Sequence, residues 1–184
     1  MNSNRTEAGR KDSVYTKIWN APVPNKAKTT AWRILKGRLA TCENLIKRNV
    51  INLSVEANCF LCATQTETLE HLLFTCPKTD EIWCDFLGWI GKKTALHRST
   101  NAHFRAFTSL GSKADVQFLT GTWICIVWSI WKERNNCKFN QGTWNIQKIV
   151  AEIKTRIWSW KLAFKMQSPS LDSKDFFSNS GILG

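Results

Sequence analysis

The stretch Cys59–Cys76, CFLCATQTETLEHLLFTC, holds two cysteines separated by two residues, a histidine nine positions after the second, and a third cysteine five beyond that. Zinc suits soft thiolates and imidazole, and a Cys-x2-Cys turn holds two thiolates about one sulfur-to-sulfur edge apart. Leu69, Leu72 and Leu73 stand at helical spacing and place a helix under His71, while Pro77 ends it. At 3.6 residues per turn Cys76 lies about 140° further round than His71, so the two converge only if that helix loosens near its end. Cys59, Cys62, His71 and Cys76 then fill all four positions of a closed site, which is the signature of a structural zinc ion (Zn2+) and leaves no place for a reactive water. Ordinary core cysteines beside a surface histidine are the alternative. Against it, three of the seven cysteines and one of the three histidines fall within this one short window. Zinc binding in small finger peptides is worth about 10–16 kcal/mol, so losing a ligand is expected to unfold residues 57–90 locally.

Charge is distributed unevenly around this segment. The chain of 184 residues carries a net +12. Residues 1–50 hold 11 basic and 3 acidic groups, residues 51–90 hold 1 and 6, and residues 91–184 hold 14 and 5. Such a balance favours a polyanionic partner, and it is the flanks, not the metal segment, that carry the field. Lys26, Lys28, Arg33, Lys36, Arg38, Lys47 and Arg48 form a basic set around the first helices, with Trp32 available to stack on a base if it is exposed. The same set also fits a merely solvated helix face.

The remaining segments read as helices. Pro22 and Pro24 hold the chain extended before a helix from about Lys26 to Leu39, with Asn25 as its cap. Thr41 caps a second, short helix, and a third runs from about Thr79 to Ile90 with Ile82, Trp83, Phe86, Leu87 and Ile90 as its apolar stripe. Periodicity fades from Gly91 to Lys113, where only Leu96, Phe104, Phe107 and Leu110 are scattered apolar residues, which reads as a loop with room for one short helix. Asp115 to Asn136 then forms a long helix, apolar nearly all round in its middle and therefore central. Its apolar core of 13 residues, Leu119 to Trp131, falls short of the roughly 20 that a bilayer span needs, so no membrane partner is expected. Ile146, Val150, Ile153, Ile157, Trp160 and Phe164 make a seam on a last helix capped by Thr143. Packing against the preceding helix uses that seam, and self-association or a helix partner along residues 146–164 is the other way to use it. No stretch alternates with period two.

The fold expected is mainly α, a helical domain with one small Cys-Cys-His-Cys zinc-binding turn. Its organisation is a disordered arm over 1–13, a zinc-binding domain over 14–90, a linker over 91–113, a helical hairpin over 114–167 and a disordered tail over 168–184. No secretory signal opens the chain, which implies an intracellular protein of nucleus or cytoplasm with reduced thiols. Cys42, Cys84, Cys125 and Cys137 are then expected as buried thiols, and His97 and His103 as solvated side chains.

From about Val14 to Ile90 the chain resembles the reverse-transcriptase zinc-binding domain of plant non-LTR (LINE-type) retrotransposons. The matching residues are Trp19, Val23, Pro24, Lys26, the Trp32–Arg33 pair, Leu39, Thr41, Asn44, Leu45, Cys59, Cys62, the acidic ETLEH ending at His71, Cys76–Pro77 and Trp83. IWKERNNCKF, Ile130 to Phe139, is similar to the segment that follows this domain in such elements. The resemblance implies zinc ligands at Cys59, Cys62, His71 and Cys76. Thr29, Thr30 and Ala31 stand where the family carries bulky apolar residues, and Ala40 where it often has proline, which predicts looser packing of the first helix.

A polymerase needs carboxylates to hold two metal ions, and no Asp-Asp pair occurs here. Residues 91–184 offer only Asp115, Glu133, Glu152, Asp172 and Asp175 toward an RNase H cluster, none in a strand-like context. The function expected is therefore a noncatalytic, zinc-stabilised nucleic-acid-binding module derived from a retrotransposon reverse-transcriptase polyprotein, with RNA or DNA as partner. The alternative is a zinc-stabilised helical scaffold that binds protein and no nucleic acid.

Overall fold

The structure, a computed structural model, describes residues 14–52, 57–95 and 97–163. The arm over 1–13, the tail from 168 and Phe164 lie outside them. Among the described residues every regular element is helical, with one isolated antiparallel bridge between Asn58 and Thr66.

Helix α1 covers residues 14–20 and buries Val14 and Ile18. The two prolines then turn the chain into α2, Asn25–Leu35, whose cap is Pro24, one position earlier than expected. Ala27, Ala31, Ile34 and Leu35 form its buried face. The small residues do not loosen it: Ala27 and Ala31 are fully buried where α2 packs on the long central helix. The hydroxyls of Thr29 and Thr30 donate to the carbonyls of Asn25 and Lys26, four residues back. The helix stops at Leu35 because Gly37 adopts φ +65°, a left-handed conformation open to glycine. Asn44 closes the turn by donating from Nδ2 to the carbonyls of Gly37 and Leu39. Thr41 caps α3, Cys42–Lys47, by accepting from the Asn44 amide.

After the metal segment come α4 (Pro77–Trp89), α5 (Thr100–Thr108), α6 (Val116–Phe139) and α7 (Ile146–Ala163). Helix α6 is the post of the fold. Phe118 to Val127 are buried without a break, and α2, α5 and α7 all pack on it. Asn145 caps α7 by accepting from the Lys148 amide, two residues later than Thr143 would have done. The α7 seam is spent inside the chain, since Val150, Ile153, Ile157 and Trp160 are buried where α7 meets α4 and α6.

Three expectations need correction. The one short helix for which residues 91–113 left room is present as α5, and it buries Phe104 and Phe107 completely, so the segment belongs to the core and is not a linker. With only two large apolar side chains, this helix gives too weak a period to stand out from sequence. Nor do 14–90 and 114–167 form separate domains: one apolar core runs from Val14 to Trp160. Finally, His103 is buried and Cys84 is exposed, the reverse of the burial expected for each. Helical phase explains both, since Cys84 falls on the outer face of α4 and His103 on the inner face of α5 beside Phe104 and Phe107.

Candidate metal centre and basic groove

The metal segment folds back on itself through backbone bonds. The amides of Cys59, Ala63 and Glu67 donate to the carbonyls of Gln65, Cys59 and Ala57 at 2.7, 2.8 and 2.7 Å. Thr68 caps the helical turn that follows, its Oγ1 accepting from the His71 amide at 2.9 Å. From His71 to Thr75 that turn widens to the i→i+5 spacing, and the Cys76 amide donates to the His71 carbonyl at 2.8 Å. The helix loosens at its end, as convergence of the two ligands requires. In the wide turn Cys76 comes back beside His71.

The four ligand atoms of Cys59, Cys62, His71 and Cys76 lie within 4.8 Å of one another. Cys59 Sγ is 3.9 Å from Cys76 Sγ, and Cys62 Sγ is 3.3 Å from His71 Nε2. Ligand bonds of about 2.3 Å to sulfur and 2.0–2.1 Å to nitrogen set tetrahedron edges of roughly 3.5–3.8 Å, so the cluster has the size that zinc needs. Cys59, Cys76 and His71 are buried and Cys62 half-buried. Neighbouring donors already favour thiolate. Cys59 is drawn down to about 6, first by the Cys76 thiol and then by the amides around Cys62, against burial that pushes it up. Burial also pushes Cys62 up, but Thr64 and His71 outweigh it and the net shift is downward. Cys76, which donates to Cys59 and is buried, is pushed up strongly. A bound cation would hold all three as thiolates. With Nε2 toward the thiols, His71 Nδ1 is left 3.5 Å from Thr75 Oγ1, a partner able to orient the ring.

Residues 2–83 match the family model described as zinc-binding in reverse transcriptase. No curated protein and no solved structure matches the chain. The matched segment ends inside α4 at Trp83, whose Nε1 donates to the Leu73 carbonyl at 2.7 Å and pins α4 to the wide turn. Helices α5, α6 and α7 lie beyond it.

A buried ion pair joins the zinc-binding segment to α6. Glu67, between the second and third ligands, is completely buried and accepts from the Cys42 amide at 3.1 Å. Its carboxylate also takes both Nε and Nη2 of Arg134, which is itself 1% exposed. Bidentate pairing satisfies both charges. Glu67 belongs to the ETLEH string and Arg134 to IWKERNNCKF, so both members lay in motifs visible in the sequence. Their pairing across 67 residues was not.

The structure divides the basic set in two. Lys28 donates to the Trp19 carbonyl at 3.0 Å, Lys36 sits 4.3 Å from the Tyr15 ring centroid, and Lys47 pairs with Glu43 at 2.6 Å. Lys26, Arg33, Arg38 and Arg48 are exposed and have no ion-pair partner among the described residues. Arg33, Arg38 and Arg48 line a hollow of 640 Å³ with Trp32 and Trp131. Lys26 and Arg33 reach a second hollow of 750 Å³, to which α6 and α7 add Lys132 and Lys148. Arg33 and Trp131 line both, so the two hollows make one groove between α2 and α6. Trp131, Lys132 and Lys148 were not read as binding residues from sequence. The one signal was their position in a basic C-terminal half.

Among the described residues no helix is long and apolar enough to cross a membrane.

Proposed function

We propose that this protein is a noncatalytic nucleic-acid-binding module, stabilised by a structural zinc ion and derived from a plant LINE-type reverse-transcriptase polyprotein. The observation that carries the reading is the cluster Arg33, Arg38 and Arg48, without ion-pair partners among the described residues, lining one hollow with Trp32 and Trp131 on a scaffold whose first part matches a reverse-transcriptase family. Guanidinium groups suit phosphate, and an aromatic wall beside them suits bases. The metal centre shares no residue with either hollow of the groove, and its four protein ligands occupy every position of a tetrahedral ion. Its part is to fix the loop that holds Glu67, and through Glu67 the helix that walls the groove.

Binding of labelled RNA and DNA followed by anisotropy across a salt series tests this. Phosphate contacts release counterions, so affinity should fall steeply between about 50 and 200 mM salt. The Arg38→Glu, Arg48→Glu double variant, changed at two exposed positions, should weaken binding at low salt and flatten the slope. Absence of binding at low salt overturns the proposal.

A further inference from the structure

We infer that the groove between α2 and α6 takes a single-stranded nucleic acid, with Trp131 as the stacking platform and phosphate-binding cations supplied from both sides of the zinc-binding segment's boundary. This rests on the nucleic-acid reading above and specifies its substrate.

Trp131 is half-buried at the junction of the two hollows. The Arg134 guanidinium lies 5.2 Å from its ring centroid, and Arg134 is held by the buried Glu67 carboxylate. The indole is thus backed by a fixed cation and cannot swing freely, as a platform requires. Trp128, in the second hollow, is already occupied: Lys132 and Arg156 lie 5.6 and 5.4 Å from its ring centroid, and Trp160 packs against it at 5.9 Å. It serves as wall. Trp32, half-buried in the first hollow, offers a second aromatic surface.

Six cations line the combined groove: Lys26, Arg33, Arg38, Arg48, Lys132 and Lys148. Of the two carboxylates within it, Glu152 pairs with Arg156 at 2.7 Å, while Glu133 accepts from Asn136 Nδ2 at 3.1 Å inside the same groove and keeps its charge, so the six cations still outnumber the acids. The net field favours an anion throughout. A duplex would offer this groove only its phosphates, because its bases are stacked inside. A single strand offers phosphates to the cations and a base face to Trp131, and every base has such a face. An acidic polypeptide would satisfy the cations and leave the indole idle.

The test uses the full zinc-loaded chain with labelled mixed-sequence strands of about 12 nucleotides, RNA in one arm and DNA in another, and a duplex of equal length in a third. Both single strands should bind more tightly than duplex at equal salt. Trp131→Ala should weaken single-strand binding about five- to a hundredfold and leave duplex binding unchanged, while Trp131→Phe retains most of it. Lys148→Glu, changed at an exposed position and checked by circular dichroism, should lower the single-strand salt slope by at least about 0.7. Poly-glutamate of equal charge should displace the strand poorly. Equal affinity for duplex and single strand together with an unaffected Trp131→Ala protein overturns this inference and leaves the broader proposal standing. Displacement by poly-glutamate as effective as by nucleic acid also overturns it. Failure of every nucleic acid to bind overturns both.

Discussion

Two polar clusters meet at the wide turn from His71 to Thr75, and they are buried by opposite means. On one side, His71 joins three cysteines in a cluster of the size and donor set that a cation would fill. On the other, Phe74 packs 4.2 Å from His103, which Trp83 approaches at 4.4 Å. Trp123 donates from Nε1 to His103 Nδ1 at 3.1 Å, a bond that needs a neutral ring with its proton on Nε2. In the function proposed above the first cluster is held by coordination, whereas the second is held by apolar area and one hydrogen bond. What the difference teaches is where each is vulnerable: the metal loop to chelation, the aromatic nest to acid.

Removing the metal is the harshest way to break the comparison. Binding worth about 10–16 kcal/mol exceeds or equals the stability of an ordinary domain. A chelator, or Cys59→Ser, should therefore melt the loop and the wide turn. Hydrogen exchange over residues 57–76 should rise to unprotected rates while the middle of α6 stays protected. Protection unchanged after complete metal removal would show that the loop does not depend on coordination.

The clasp between Glu67 and Arg134 comes next. Arg134→Met leaves Glu67 as an uncompensated buried carboxylate, which should cost about 3–5 kcal/mol. The paired change Glu67→Leu, Arg134→Met should recover much of that, as buried pairs replaced together often do. Denaturant melts of both proteins read the difference. A single variant no weaker than the double one would remove the clasp from the account of how α6 is held.

Acid sharpens the comparison from the other side. Burial pushes the His103 pKa down to about 3 from its ordinary 6.5. Below pH 6.5 the unfolded chain takes up a proton that the folded chain refuses, so stability falls as pH drops from 6.5 toward 3, and above 6.5 this group contributes no slope. The loss should reach about 2 kcal/mol by about pH 5. Metal release in acid affects both proteins alike. The difference between native protein and His103→Gln melts should therefore isolate the histidine, and identical slopes would place its proton elsewhere.

The smallest effect lies within the metal loop. Ala63 follows Cys62 at φ +57°, a conformation unfavourable for a side chain with Cβ. Ala63→Gly should raise zinc-loaded stability by about 1 kcal/mol. A loss of that size instead would show that the unfolded-state entropy of glycine outweighs the strain.

Legibility in the sequence followed the kind of force involved. The Cys-Cys-His-Cys cluster could be read because coordination demands particular atoms at short spacing, and the five-residue step from His71 to Cys76 required the helix to loosen there. The α7 seam and the central character of α6 could be read because burial imposes a period on a helix. The burial of His103 could not, because α5 offers few apolar neighbours in sequence and the rings that enclose the histidine come from α4, α6 and the wide turn.

The sequence by itself determined the all-helical character, the four members of the Cys-Cys-His-Cys cluster and a strongly basic chain, since spacing, periodicity and charge are local or additive properties of the chain. Only the tertiary structure decided which cations stand unpaired in one groove, that Glu67 meets Arg134, and that the family-matched segment and the helices beyond it share a single core. Those depend on which helix faces close on one another, and that is settled by packing many residues apart rather than by any one stretch of sequence.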